Sequence, residues 1–321
     1  LTLQEQTMLN RPRDQRVAIC LSTFNGESFL REQLESLLAQ THEHWVLYWR
    51  DDGSTDQTRA VMDDFAERAG QGRCVEMPGP PGNLGPAASF QSLLRSVAGD
   101  LAGDDVVAFA DQDDVWFPNK LERGIASLSG VPNREPALYC ARQVLVDADL
   151  KQIGLSATLG QSSGFPQALT QNIATGCTVM LNAAAARLVA ASVPSPATLH
   201  DWWCYLVVTG AGGRLLQDPE PVIFYRQHGR NAVGAPPSMF KRGVAAMRRG
   251  PGLFMAVLRQ NVGALAAQPQ LLTDHARRDV LALNAALNGG FWHRVKALRI
   301  GGMVRQTWIE TMVFRAWFIL G

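Results

Sequence analysis

The stretches VAICLSTFNGESF (17–29), WVLYWRDDGSTDQT (45–58) and DVVAFADQDDVW (105–116) share a pattern: a short apolar run rich in strand formers, then an abrupt change to polar turn residues. Runs of that length read as buried strands, with Asn25-Gly26 and Asp52-Gly53 as the turns that end two of them. Between the runs, apolar residues recur at helical spacing: Phe29, Leu30, Leu34, Leu37 and Leu38 across 27–40, and Val61, Met62 and Phe65 across 55–69. Strand-like CVEM (74–77), a Pro/Gly-rich loop (78–86) and a helix over 87–98 complete a βαβαβ alternation. This order predicts an α/β fold on a doubly wound, mostly parallel mixed sheet.

Ligands of such sheets collect beyond the carboxyl ends of the strands. The residues to inspect are therefore Ser22 to Asn25, Asp51-Asp52, Asn83-Leu84-Gly85 and Asp111 to Asp114. No G-x-G-x-x-G or Walker lysine follows the first strand, which disfavours dinucleotide and P-loop readings. Asp111-Gln112-Asp113 sets two carboxylates in an extended i, i+2 relation at a strand end. There they can converge on a hard divalent cation, Mg²⁺ or Mn²⁺, although a D-x-D is also common in solvated turns. A departing diphosphate needs that kind of charge neutralisation.

Further on, ALYCARQVLVD (137–147), CTVMLN (177–182) and PVIFYRQH (221–228) read as strands, 152–172 as loop, and 183–192 and the segment opening at His200 as helices. Past Pro236-Pro237 the pattern is helical, with segments near 238–248, 252–267, 274–287, 291–299 and 303–320. The expected organisation is an N-terminal extension (1–16), a catalytic domain (17–236) and a helical region (237–321). At 321 residues and 46% hydrophobic composition, the chain can bury one large core plus an appendage. Five dispersed cysteines without a C-x-x-C pair suggest neither a disulfide framework nor a zinc site and fit a reducing cytoplasm.

The ordered set LSTFNGESFLREQLESLLAQT (21–41), RDDGSTDQT (50–58), NLGPAASF (83–90), DQDDVWFPNKL (111–121), TGCTVMLN (175–182), HDWW (200–203) and YRQHGRNAVG (225–234) resembles the family 2 glycosyltransferases and their GT-A fold. DQDDVW, HDWW and YRQHG look most like the rhamnosyltransferase-like branch. The resemblance implies a metal-dependent inverting transferase that uses a nucleotide diphosphate-sugar donor and a saccharide or lipid-linked acceptor in surface polysaccharide synthesis. It assigns Asp52 to the nucleotide base, although the same Asp-Gly-Ser-Thr-Asp run would also cap a helix. Ser22 and Phe24 flank the base, Asn25 belongs with them to the nucleotide-sugar site, Asn83 and Gly85 lie on the loop over the nucleotide, and Asp111 meets the ribose or diphosphate. Asp113 and His228 are the implied metal ligands, and Arg226 a phosphate partner or a solvated charge.

Asp201 matches the general base, which must stand opposite the leaving diphosphate to take the acceptor's proton. His200 departs from the Glu that family members often carry there. Trp202 and Trp203 can floor an acceptor subsite by stacking or pack in the core. A nucleotidyltransferase and a non-catalytic sugar-nucleotide-binding protein are the rival readings. The first lacks its Gly-rich signature here, and the second would not need Asp113 together with Asp201.

The tail has a separate character. Residues 237–321 hold 12 Lys/Arg against 3 Asp/Glu, a net of +9, whereas the remainder holds 18 against 26, a net of −8. With Trp292, Trp308, Trp317 and Phe318 among these cations, the tail predicts peripheral contact with the inner face of the cell membrane. Packing on the catalytic domain or a homodimer interface are the alternatives. No nucleic-acid-binding motif is present.

Overall fold

The computed structural model describes residues 15–80, 82–158, 164–229 and 251–321. Residues 1–14 of the N-terminal extension, the boundary placed at 236/237 and the helix expected over 238–248 lie outside the described residues.

In chain order the elements are β1 (Val17–Thr23), α1 (Leu30–Leu38), β2 (Trp45–Asp51), α2 (Thr58–Ala69), β3 (Cys74–Glu76), α3 (Pro86–Ala98), β4 (Val106–Ala110), β5 (Val115–Trp116), α4 (Lys120–Leu128), β6 (Ala137–Val146) and β7 (Gln152–Leu155). There follow α5 (Gln167–Thr170), β8 (Met180–Asn182), α6 (Ala183–Ala190), α7 (His200–Gly210), β9 (Arg214–Arg226), α8 (Pro251–Ala266), α9 (Asp274–Asn288), α10 (Phe291–Ala297) and α11 (Trp308–Leu320). The sheet runs β3-β2-β1-β4-β8-β6-β9-β5, with β7 paired to β6. Strands β3, β2, β1 and β4 are mutually parallel; β8 is antiparallel to both β4 and β6, which makes the sheet mixed.

Successive strand side chains point to opposite faces, and this sheet has a core on each. Val17, Ile19 and Leu21 of β1 enter one core with helices α1, α2 and α4, while Ala18 and Cys20 enter the other with α3, α6 and α7. That is why the strands read as continuous apolar runs. Parallel register sets Thr23 beside Asp51 and Leu21 beside Ala110, so the turns after β1, β2 and β4 emerge along one edge.

Several elements differ from expectation for visible reasons. Helix α2 begins at Thr58 rather than residue 55, because hydrogen bonds hold the preceding turn out of the helix: Ser54 N to Asp51, Thr55 N to Asn25 and Thr58 N to Asp56. The stretch 152–172 contains β7 and α5. Strand β8 starts only at Met180, since Gly176–Thr178 makes a short 3₁₀ turn, and β9 extends seven residues further back than expected, to Arg214. Two-residue β5 had no sequence signal; it pairs antiparallel with β9.

The tail helices belong to the fold. Leu258, Val262, Leu265, Val280, Leu283, Phe314 and Phe318 are fully buried and join the core that contains Trp203 and Val189. Fully burying each such side chain is worth about 1.5–3 kcal/mol. Phe318, expected at a lipid surface, is thus a core residue, and Trp317 packs against the same core. None of the helices among the described residues is long and apolar enough to cross a membrane.

Candidate active site

The turn after β4 carries the acidic residues and is latched from several sides. Gln112 reaches back to the end of β1, where its Oε1 accepts from Phe24 N at 2.8 Å and its Nε2 donates to Phe24 O at 3.0 Å. A Cβ at residue 26 would collide with this amide, so Gly26 is needed there. Arg226, at the end of β9, donates through Nε to Asp113 O at 2.9 Å, through Nη1 to Ala148 O and through Nη2 to Glu32. Its side chain is 1% exposed and lies over the Phe29 ring. The expectation of a phosphate partner or solvated charge is therefore corrected: Arg226 ties the acidic turn to α1 and β9.

Asp113 and His228 are brought together, with Nε2 2.8 Å from Oδ2 and the imidazole stacked 4.8 Å from the Phe29 ring. Asp111 stands nearby, its carboxyl pushed up to about 7 by burial and then by the charges of Asp113 and Asp201. Such crowding of acidic groups suits a cation. Oxygen donors plus one imidazole fit Mg²⁺ or Mn²⁺.

Ligand-type atoms also cluster deeper, where those of Asp111, Asp114 and Cys177 lie within 4.8 Å of one another. Cys177 is fully buried, and burial pushes its thiol well above the ordinary range, so it is a neutral thiol and a poor ligand for a hard cation. Lys120 is buried beside this group, its ammonium 3.0 Å from the Trp116 ring centroid and lowered to about 7 by burial. We read this inner set as support for the acidic turn.

The nucleotide-side residues divide. Phe24 is 45% exposed at the strand-end edge. Ser22 donates to Ser89 at 2.7 Å, and Asn25, at φ 47°, accepts from Thr55 N at 2.9 Å and so joins the first two turns. Asp52 is 2% exposed and accepts from Leu84 N and Gly85 N, both at 2.8 Å, besides pairing with Arg50. Arg50 in turn donates to Pro80 O and Gly82 O. Asp52 therefore organises the loop carrying Asn83 and Gly85, and it is not the N-cap of α2, which Gln57 occupies.

Asp201 lies in the first turn of α7, where a carboxylate is favoured by the helix's exposed N–H groups. It accepts from Gly176 N at 3.0 Å and from Trp202 N at 2.6 Å, and burial raises it to about 6. At neutral pH it is mostly ionised yet only weakly below the pKa of a useful base. Gly176 makes the approach feasible, since a Cβ there would meet His200 Nε2 at 2.6 Å.

His200 is half-buried with its ring nitrogens enclosed and packs against Phe90 and Phe109; burial lowers it to about 3, so it is neutral. Trp203 is fully buried and donates to Ser192 at 2.7 Å, which corrects its assignment to an acceptor subsite. Trp202 is half-buried, with its Nε1 committed to Ala168 O, leaving only part of its ring for a ligand. Gln112, Arg50, Lys120 and Gly176 were missed as contributors. TGC before a strand was the available signal for Gly176; an isolated Gln or Lys carries none.

Comparisons with known proteins point to a glycosyltransferase. Residues 18–156 match the family model "Glycosyl transferase family 2". The chain is 27% identical over 227 residues to dTDP-rhamnosyl transferase RfbG of Shigella flexneri, covering 67% of this chain and 74% of the relative. An uncharacterised glycosyltransferase of Nostoc sp. is 27% identical over 228 residues, or 67% and 66% of the two chains. Over 36% of this chain and 42% of the relative, the identity to UDP-Glc:alpha-D-GlcNAc-diphosphoundecaprenol beta-1,3-glucosyltransferase WfgD of Escherichia coli is 29%. The S. aureus TarS 1–349 structure superposes with a TM-score of 0.56 at 14% identity, covering 95% of this chain and 81% of TarS, and so shares the fold. Residues 18–156 thus match the family 2 glycosyltransferases, the chain shares the fold of TarS, and its sequence is rhamnosyltransferase-like.

Proposed function

We propose that the protein is a metal-dependent inverting glycosyltransferase that moves a sugar from a nucleotide diphosphate donor to a saccharide or lipid-linked acceptor during surface polysaccharide synthesis, at the cytoplasmic face of the membrane. The observation that carries this reading is the Asp113–His228 pair on the acidic turn together with the separate, buried carboxylate of Asp201. Asp113 and His228 would hold Mg²⁺ or Mn²⁺, which supplies positive charge to the leaving diphosphate. Phe24 and the Asp52-held loop would receive the nucleotide.

In the transfer, the acceptor oxygen bonds to the anomeric carbon as the bond from that carbon to the diphosphate oxygen breaks, and the hydroxyl proton passes to Asp201. The N–H donors of Gly176 and Trp202 fix the orientation of that carboxylate. RfbG, named for dTDP-rhamnose chemistry, and WfgD, named for a diphosphoundecaprenol-linked acceptor, support rhamnose and a lipid-linked acceptor as first choices. The test is donor turnover across UDP-, GDP- and dTDP-sugars with Mg²⁺ or Mn²⁺, with product configuration read by NMR. Inversion and loss of turnover in EDTA are expected; full activity in EDTA or a retained configuration overturns the reading.

A further inference from the structure

Helix α11 has two apolar sides and only one of them is covered. Thr311, Phe314 and Phe318, at i, i+3 and i+7 spacing, face inward, where the two phenylalanines are fully buried in the core. On the opposite side Trp308, Ile309, Ala316 and Leu320 are exposed, with Met312 and Val313 half-buried at its margins. Trp308 is 75% exposed, Ile309 68% and Leu320 80%. A helix that is apolar all round is ordinarily buried all round. This one is well formed, with a Thr307–Glu310 capping box at its start, so the bare side is not a frayed end. Next to it packs α10, whose Phe291 and Trp292 are 51% and 77% exposed.

Charge identifies the occupant. Residues 291–321 carry five Lys/Arg against Glu310 alone, a net of +4, and of these Lys296 and Arg299 are exposed while Arg294, Arg305 and Arg315 are half-buried. A second copy of the chain would bring the same positive charge to the contact. An anionic lipid surface offers the complement to both features, taking the exposed apolar side chains among its acyl chains and Lys296 and Arg299 at its headgroups, within the wider positive field of the segment. We propose that the outward face of α11 inserts shallowly into an anionic membrane leaflet, with Trp308 and Ile309 at its leading end. This rests on the reading that the enzyme works at a membrane and names the surface that would hold it there.

The experiment uses the full chain and vesicles of phosphatidylcholine with or without phosphatidylglycerol. Trp308→Glu/Ile309→Glu places two carboxylates in the first turn of α11, where the helix favours them, on side chains outside the core. The native chain should pellet with phosphatidylglycerol vesicles at low salt, be released as salt rises and ignore pure phosphatidylcholine. The double variant should lose at least tenfold in bound fraction while keeping its melting transition and its hydrolysis of free donor. If the variant pellets as well as the native chain, the α11 face is the wrong surface, although membrane attachment stands. If the native chain does not pellet, both claims fall. A native dimer that the variant converts to monomer in sedimentation velocity assigns the face to a second copy and overturns the proposal.

Discussion

Asp201 sits where being charged is costly, and a base must meet that cost to be useful. Burial raises its carboxyl from the ordinary value to about 6, against the stabilising N–H groups of Gly176 and Trp202. Activity should therefore rise as pH passes upward through about 6, when the proton leaves. Asp201→Asn should keep nucleotide binding, measured by calorimetry, and lower transfer by about 10²–10⁴-fold. The same shift makes a stability prediction. A carboxyl whose folded pKa is raised lends stability that is fully present below its unfolded pKa, near 4, and is lost as pH rises through 6. The melting temperature of Asp201→Asn relative to native should thus climb between pH 4 and 7, by the equivalent of up to about 3 kcal/mol. A flat difference across that window would contradict the burial argument. The neighbouring prediction is that Asp113→Ala removes Mn²⁺-dependent turnover while the fold survives, checked by metal titration and a thermal melt. That Asp113 follows a buried strand and that a helix opens at His200 was legible in the sequence. The burial of Arg226 and Trp203 was not, since a sequence shows that a residue is cationic or aromatic but not what surrounds it.

At the scale of elements, the strand ends after β1, β2 and β4 are joined by side chain to main chain bonds, and these decide where the loops stand. Strands β1, β2 and β4 were legible from their apolar runs, whereas β5 and the early part of β9 were not. Two residues give no periodicity, and RLLQDPE (214–220) contains polar residues and Pro219 that argue against a strand in isolation. Asp52 illustrates how a loop depends on one carboxylate. Asp52→Ala leaves Leu84 N and Gly85 N without that acceptor and Arg50 buried without that partner. Removing one member of a buried pair costs about 3–5 kcal/mol. We expect a stability loss of that order, with hydrogen exchange quickened at Leu84 and Gly85 and weakened nucleotide binding. Unchanged exchange at both amides would show that Asp52 acts on the nucleotide alone.

At the scale of the whole molecule, the basic tail was legible as a set of helices and as a charge asymmetry, but its relation to the catalytic domain was not. Amphipathic spacing says that one side of a helix needs a cover; it does not say whether protein or lipid provides it. Here both demands fall on one region, because α8, α9 and α11 give their inner sides to the core around Trp203 and α11 leaves its outer side bare. The tail therefore cannot be removed as though it were a tether. Deleting 251–321 would uncover α5, against which α8 packs, and strip seven fully buried apolar side chains from the core. At about 1.5–3 kcal/mol each, that loss is comparable with the about 5–15 kcal/mol that holds a typical domain folded. The truncated chain should show no cooperative thermal transition and bind no nucleotide. A truncated protein that melts cooperatively and turns over donor at the native rate would mean that the catalytic domain closes its own core and that the tail is a separable module.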